Sequence, residues 1–221
     1  MWKLKQLLKH VAHLWRDRQA RTRTRKIERN WAKRLNDLPH AADGKRLLHI
    51  GCGEIVATGF INLDARPGPH VHIVTQDLFR LEMIPDYAFD LVYMSHVLEH
   101  VSHLNVIETL KELCRILKVG GVLRVSVPDF DHILTLYRAT DHDIRAIEQP
   151  LMGGQDYAFN YHYMVFNDAH LRKLMLNSGF REAQAWNPRD CAHHDFEDWA
   201  SKTISWEGRE YEISLNIEAV K

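Results

Sequence analysis

Three side chains able to hold a metal ion or move a proton fall within five positions of one another: His96, Glu99 and His100 in SHVLEH. At i, i+3 and i+4 they would share one face of a helix. A His-Glu-His set suits a divalent metal by ligand type. Imidazole titrates near neutrality, so His96, or His162 in FNYHYMVF, also serves as a metal-free general base. Asp129, just after Pro128, is a further base or substrate-orienting group, or else a turn former. Glu99 and His100 have a plainer reading too, capping and packing the helix. With 15 histidines in the chain, residue type alone singles out none of them.

A second stretch, LLHIGCGEIVATGFINLD, combines a short apolar run, the turn Gly51-Cys52-Gly53 and a second run closing on Asp64. Glycines let backbone turn tightly and approach a ligand, and a carboxylate at a strand terminus can accept from both hydroxyls of a ribose. This is the layout of an α/β nucleotide site. The G-x-G is not followed by x-x-G at helix-start spacing, which argues against a dinucleotide oxidoreductase.

Such residues need strands to carry them. RLLHI, GFINLD, VHIVTQD, FDLVYMS and VLRVSVPDF read as five strands, each ending at a small or polar residue. Leu104, Ile107, Leu110, Leu113 and Leu117 mark a helix before the fifth strand, stopped by Gly120 and Gly121. NDAHLRKLMLNSGF is one more helix, capped by Asn167 or Asp168, before the strand REAQAW, and YEISLNIEAVK is the last strand. Alternation of strand and helix predicts a parallel sheet with helices on both faces. Residues 139–166 form an insertion where Gly153, Gly154, Gln155, Tyr157, Phe159, Tyr161 and Tyr163 mix flexibility, amide donors and aromatic faces, a combination that holds sugars and other small ligands.

The 221 residues suit one full-sized domain and an appendage. Net charge is zero, but twelve Lys and Arg against Asp17 and Glu28 leave residues 1–34 at +10 and the remainder at −10. Trp2, Leu4, Leu7, Leu8, Val11, Leu14 and Trp15 recur at helical spacing with lysines elsewhere on the wheel, so residues 1–40 are expected to be a basic helical extension and 41–221 the main domain. The helix stripe packs on the domain or a second subunit, or lies on an anionic membrane. Cys52, Cys114 and Cys191 form no C-x-x-C and are odd in number, which points to a reducing, intracellular setting. No apolar run reaches the length of a membrane span.

The order of these motifs resembles the class I S-adenosylmethionine-dependent methyltransferases over residues 45–221. LLHIGCG looks like their first motif, the end of GFINLD like the second, VTQD like the loop after the third strand, and FDLVYMSHVLEHV with LKELCRILKVGGVLRVSVPD like the paired fourth and fifth strands. EHV, GGVLRVSVPD, MGGQ and the closing IEAVK further resemble methyltransferases associated with bacterial surface-glycan synthesis. The resemblance implies a Rossmann-like α/β fold, a mostly parallel seven-stranded sheet with an antiparallel last strand. It implies S-adenosylmethionine held by His49, Gly51, Cys52, Gly53, Asp64, Asp77, Leu78 and Ser95, with Asp64 on the ribose and Asp77 on the adenine amino group. Two departures stand out: His49 occupies a position usually acidic, and the third glycine is replaced by Gly59 farther on. SHVLEH also looks like the E-x-x-E-H metal motif of ubiquinone-pathway O-methyltransferases and small-RNA 2′-O-methyltransferases, with His96 for the first Glu and His162 placed to supply the further ligand that a later histidine gives in the RNA enzymes. The acceptor expected is a hydroxyl of a glycan, sugar nucleotide or lipid-linked saccharide at the cytoplasmic face of a membrane. RNA or a small isoprenoid metabolite, and a non-catalytic cofactor-binding scaffold for membrane glycosyltransferases, are the alternatives.

Overall fold

Leu47–Ile50 (β1), Phe60–Asp64 (β2) and Phe89–Ser95 (β4) are near-continuous apolar runs, buried along most of their length, as strands covered on both faces must be. In a computed structural model of the protein they pair in parallel around β1 and are joined by Ile73–Val74 (β3), Leu117–Pro128 (β5), Glu182–Ala185 (β6) and the final strand, Ser214–Val220. The structure describes residues 30–31, 33–34, 37–78 and 80–221. Apart from those few positions, the expected N-terminal extension, its amphipathic helix included, lies outside the described residues. The chain divides into two units. In one, Leu81 and Ile84 are buried and linked by an Ile84 N–H to Leu81 carbonyl bond of 2.8 Å. The other comprises residues 39–80 and 86–221 and holds the whole sheet.

Thr203–Trp206 (β7) and Arg209–Glu212 (β8) form a separate antiparallel hairpin, so the final strand is β9. The main sheet runs β3-β2-β1-β4-β5-β9-β6, and β9 is antiparallel to both β5 and β6, as expected for the last strand. Order reverses between β1 and β4, so the loops leaving these two strands diverge and open a crevice at their carboxyl ends.

Four elements differ from the sequence reading. The helix Val106–Ile116 (α1) stops before Leu117, which already pairs with Phe89 in the sheet. Gly120 and Gly121 therefore shape a bulge in β5 and stop no helix. A side chain on Gly121 would press within 2.9 Å of the Lys118 carbonyl. Leu104 precedes the helix and is exposed. The third strand is only two residues long, and the closing run YEISLNIEAVK is split at Ile213 between β8 and β9.

Among the described residues of this unit, helices do not supply the cover on both faces of the sheet. Among the described residues the β1–β2, β2–β3 and β3–β4 connections hold turns and no helix. The face bearing Leu47, Phe60, Leu91 and Tyr93 is covered by irregular chain between β6 and β7. Trp186 and Ala200 are buried with those side chains, and Phe196 packs against them. His49 stacks on Phe196 there, rings 5.6 Å apart and 18° from parallel. Tyr93 Oη donates to the Asp198 carboxylate, tying cover to sheet. Beyond β5 lie the α-helices Phe130–Ala139 (α2), Glu148–Met152 (α3) and Asp168–Asn177 (α4).

Candidate active site

The loops leaving β1 and β4 meet at the crevice. Gly51 has φ +67°, and a Cβ there would lie 2.3 Å from Cγ2 of Val97, so only glycine lets the two loops close together. Gly53, at φ +52°, aims its N–H at Asp64 Oδ2, 2.9 Å away, and Asp64 Oδ1 accepts the Arg66 N–H at 2.9 Å. Each oxygen keeps a lone pair for a ligand hydroxyl. Around them lies a cavity of about 510 Å³, within the usual range for small-molecule sites. Its walls include Gly51, Gly53, Asp64, Leu78, His96 and His100 from the expected set, together with Arg66, Gln76, Asn105, Tyr157, Phe159 and Tyr163. The Arg66 guanidinium lies 4.8 Å from the Tyr157 ring centroid. A glycine cradle, a buried carboxylate with spare lone pairs and a cavity of this size fit a nucleoside cofactor.

His96, at the end of β4, adopts φ +52°, a conformation that non-glycine residues take at a cost and that concentrates at functional sites. The one-face helix expected over SHVLEH is a single 3₁₀ turn, Leu98–His100, which leaves His96 outside it. The groups converge nonetheless. His96 Nδ1 is 3.4 Å from Glu99 Oε1. His162 reaches the same oxygen at 3.9 Å, its loop fastened by the Tyr163 N–H to Glu99 carbonyl bond of 2.8 Å. The His100 and His162 rings stand 4.9 Å apart.

Hydrogen-bond partners assign the tautomers. Ser214 Oγ donates its only proton to the Trp199 carbonyl at 2.6 Å, so it accepts from His96 Nε2–H at 2.8 Å. That leaves a lone pair on His96 Nδ1. His100 Nδ1–H donates to the Tyr161 carbonyl at 3.0 Å and His162 Nδ1–H to the Pro150 carbonyl at 3.1 Å, leaving Nε2 of each as an acceptor. Burial pushes the Glu99 carboxyl up to about 8. Burial, helped by the neighbouring imidazoles, pushes His96 down to about 3 and His162 down to about 4.

The remaining sequence candidates lie outside the cavity wall. His49 is in the aromatic layer beneath the cover, where burial and the nearby His194 press it down to about 3. The Cys52 thiol is buried, and desolvation followed by the Asp64 charge pushes it up to about 12. Asp77 takes no part in the wall, although Gln76 and Leu78 on either side do. Ser95 ends β4 beside Ser126. Asp129 caps α2, accepting the Asp131 N–H at 3.0 Å. The sequence reading missed Arg66, whose position two residues beyond Asp64 was a usable signal, and Ser214, which sits 118 positions from the ring it holds.

A family model described as a methyltransferase domain matches residues 15–185. No curated protein sequence matches the chain. Among solved structures, an S-adenosylmethionine-dependent methyltransferase from Archaeoglobus fulgidus is similar at 16% identity and TM-score 0.51, over 90% of this chain and 94% of its own. Another from Methanosarcina mazei is 19% identical, with TM-score 0.48 over 80% of this chain and 92% of its own. The family match spans most of the chain, the sheet order has the corresponding fold, and the crevice holds the glycine turn and carboxylate. The chain therefore belongs to the methyltransferase domain family, as a class I S-adenosylmethionine-dependent methyltransferase.

Proposed function

We propose that this enzyme methylates a hydroxyl of a glycan, a sugar nucleotide or a lipid-linked saccharide. One observation carries the reading: the cavity that holds the glycine turn and Asp64 is also walled by Tyr157, Phe159 and Tyr163, alongside His96 and His100. Aromatic faces stack on sugar rings, and Asn105 and Gln76 in the same wall offer amide donors and acceptors to hydroxyls. S-adenosylmethionine supplies a methyl group on a sulfonium, which leaves as a neutral thioether. Asp64 would orient its ribose, and the loop at Gly51 and Gly53 would lie against its methionine portion. His96 would take the acceptor's proton on Nδ1, the nitrogen its bond to Ser214 leaves bare.

The test begins with calorimetric titration of S-adenosylmethionine and S-adenosylhomocysteine, with NAD as control. Labelled-methyl transfer is then assayed to sugar nucleotides, polyprenyl-linked saccharides and RNA. Incorporation into a saccharide, lost in His96→Ala with cofactor affinity retained, supports the reading; incorporation into RNA alone overturns it, and so does cofactor binding without turnover on any acceptor. The amphipathic, basic pattern of residues 1–15 supports recruitment to the anionic cytoplasmic face of a membrane, where a lipid-linked acceptor would lie. Among the described residues no helix is long and apolar enough to cross a membrane.

A further inference from the structure

We infer that Glu99, His100 and His162 form a binding site for one divalent transition-metal ion at the edge of the cavity. One ligand atom from each residue lies within 4.8 Å of the other two. Bonds of about 2.0–2.2 Å from imidazole nitrogen or carboxylate oxygen to a metal would set neighbouring ligands roughly 3–3.5 Å apart. Glu99 Oε1 and His162 Nε2 are already 3.9 Å apart, so closure needs a contraction and no rearrangement.

Direction argues as strongly as distance. The Nδ1–H of His100 and of His162 is spent on a backbone carbonyl, Tyr161 and Pro150 respectively, which leaves Nε2 of each ring as the ligand atom, that of His162 being the one 3.9 Å from Glu99 Oε1. A carbonyl fixing the far nitrogen is how metal-bound imidazoles are usually held. His96 adds a third bare nitrogen, Nδ1, 3.4 Å from Glu99 Oε1. Glu99 itself is 1% exposed, and neither carboxylate oxygen has a hydrogen-bond partner. Buried polar atoms are seldom left so, because an unpaired one forfeits its solvation. Here lone pairs from a carboxylate and three imidazoles converge, and no ring presents a proton to the others. A proton on Glu99 would satisfy one of these contacts; a cation would satisfy the set. Two imidazoles and one carboxylate suit zinc, iron or cobalt better than calcium or magnesium.

Three protein ligands leave coordination positions open, and His100 is part of the cavity wall. The role given to the ion rests on the methyl-transfer reading of that cavity; its binding does not. The ion would hold the acceptor hydroxyl oxygen. That oxygen releases its proton to His96 or solvent and forms the O–CH₃ bond, as the sulfonium C–S bond breaks and its electron pair passes to sulfur.

The test uses the full-length protein after chelator treatment. It is titrated with Zn²⁺, Mn²⁺ and Co²⁺ by calorimetry, with Co²⁺ absorption read in parallel. One ion per chain with micromolar or tighter affinity is expected, weakened at least 10-fold in both Glu99→Gln and His162→Ala and unchanged in His103→Ala, a nearby exposed histidine. S-adenosylhomocysteine affinity and the melting curve confirm that each variant is folded. If His162→Ala fails that check, the near-isosteric Glu99→Gln decides alone. Absence of stoichiometric binding, or binding indifferent to Glu99→Gln, overturns the inference. Cofactor binding without metal binding would leave the methyltransferase site standing, whereas metal binding without cofactor affinity would sink the methyl-transfer reading and keep the metal site.

Discussion

Asp64 accepts the backbone N–H groups of Gly53 and Arg66 before any ligand arrives, so its carboxylate is fixed in place at the crevice. Asp64→Asn keeps the shape but removes the charge and one acceptor. It is expected to weaken S-adenosylmethionine binding about 10- to 100-fold, on the scale of a charge-assisted hydrogen bond; unchanged calorimetric affinity would remove Asp64 from the ribose. Gly51→Ala would place a methyl group against Val97 at positive φ. It should destabilise the fold by about 1–3 kcal/mol in urea unfolding and reduce cofactor affinity as well. Both residues were legible in the sequence because their roles are local: a glycine at a turn, an acid at a strand terminus. The partnership of His96 with Ser214 was not: it is made between positions far apart in the chain and leaves no spacing to read, and His162 came beside Glu99 only through the resemblance to metal-using methyltransferases.

Strands β1, β2 and β4 were legible almost to the residue, since a strand buried on both faces must be a short apolar run. The missing helices were not, because the chain that replaces them over the sheet is irregular and has no period. That cover depends on individual bonds. Tyr93→Phe removes the donor to Asp198 while Ala200 N–H still holds the other oxygen at 2.8 Å. The expected loss is about 1–3 kcal/mol of unfolding free energy, the cost of a buried acceptor left short of a partner. Beneath the same cover His49 is held neutral, pressed from its ordinary 6.5 down to about 3 by burial. The unfolded chain therefore binds a proton there that the native state refuses, and stability should fall as pH drops from about 6.5 toward 3. Urea midpoints measured across that window should slope less in His49→Phe, which keeps the stack on Phe196. An unaltered slope would assign the acid sensitivity elsewhere.

Charge is segregated along the molecule, +10 in residues 1–34 against −10 in the rest. Each lysine near an anionic lipid surface contributes about 1 kcal/mol. Replacing Lys3, Lys5 and Lys9 with Gln in the full-length chain should then cut affinity for phosphatidylserine vesicles roughly 100-fold and flatten its salt dependence. Vesicle binding equal to the parent protein would refute the membrane assignment. At this scale the mostly parallel seven-stranded sheet with its antiparallel last strand was implied by the resemblance in motif order, while the position of the last strand has a consequence in time. β9 lies between β5 and β6, pairing Val122 with Val220 and Ala185 with Ile217. During synthesis at ~5–20 residues per second, the edge of β5 must wait several seconds, through some 86 to 98 further residues, before its partner has been made. For that interval a seven-residue run of mostly apolar strand has an open edge. A nascent chain stalled before Ser214 would present that edge to chaperones, or to another stalled copy of itself.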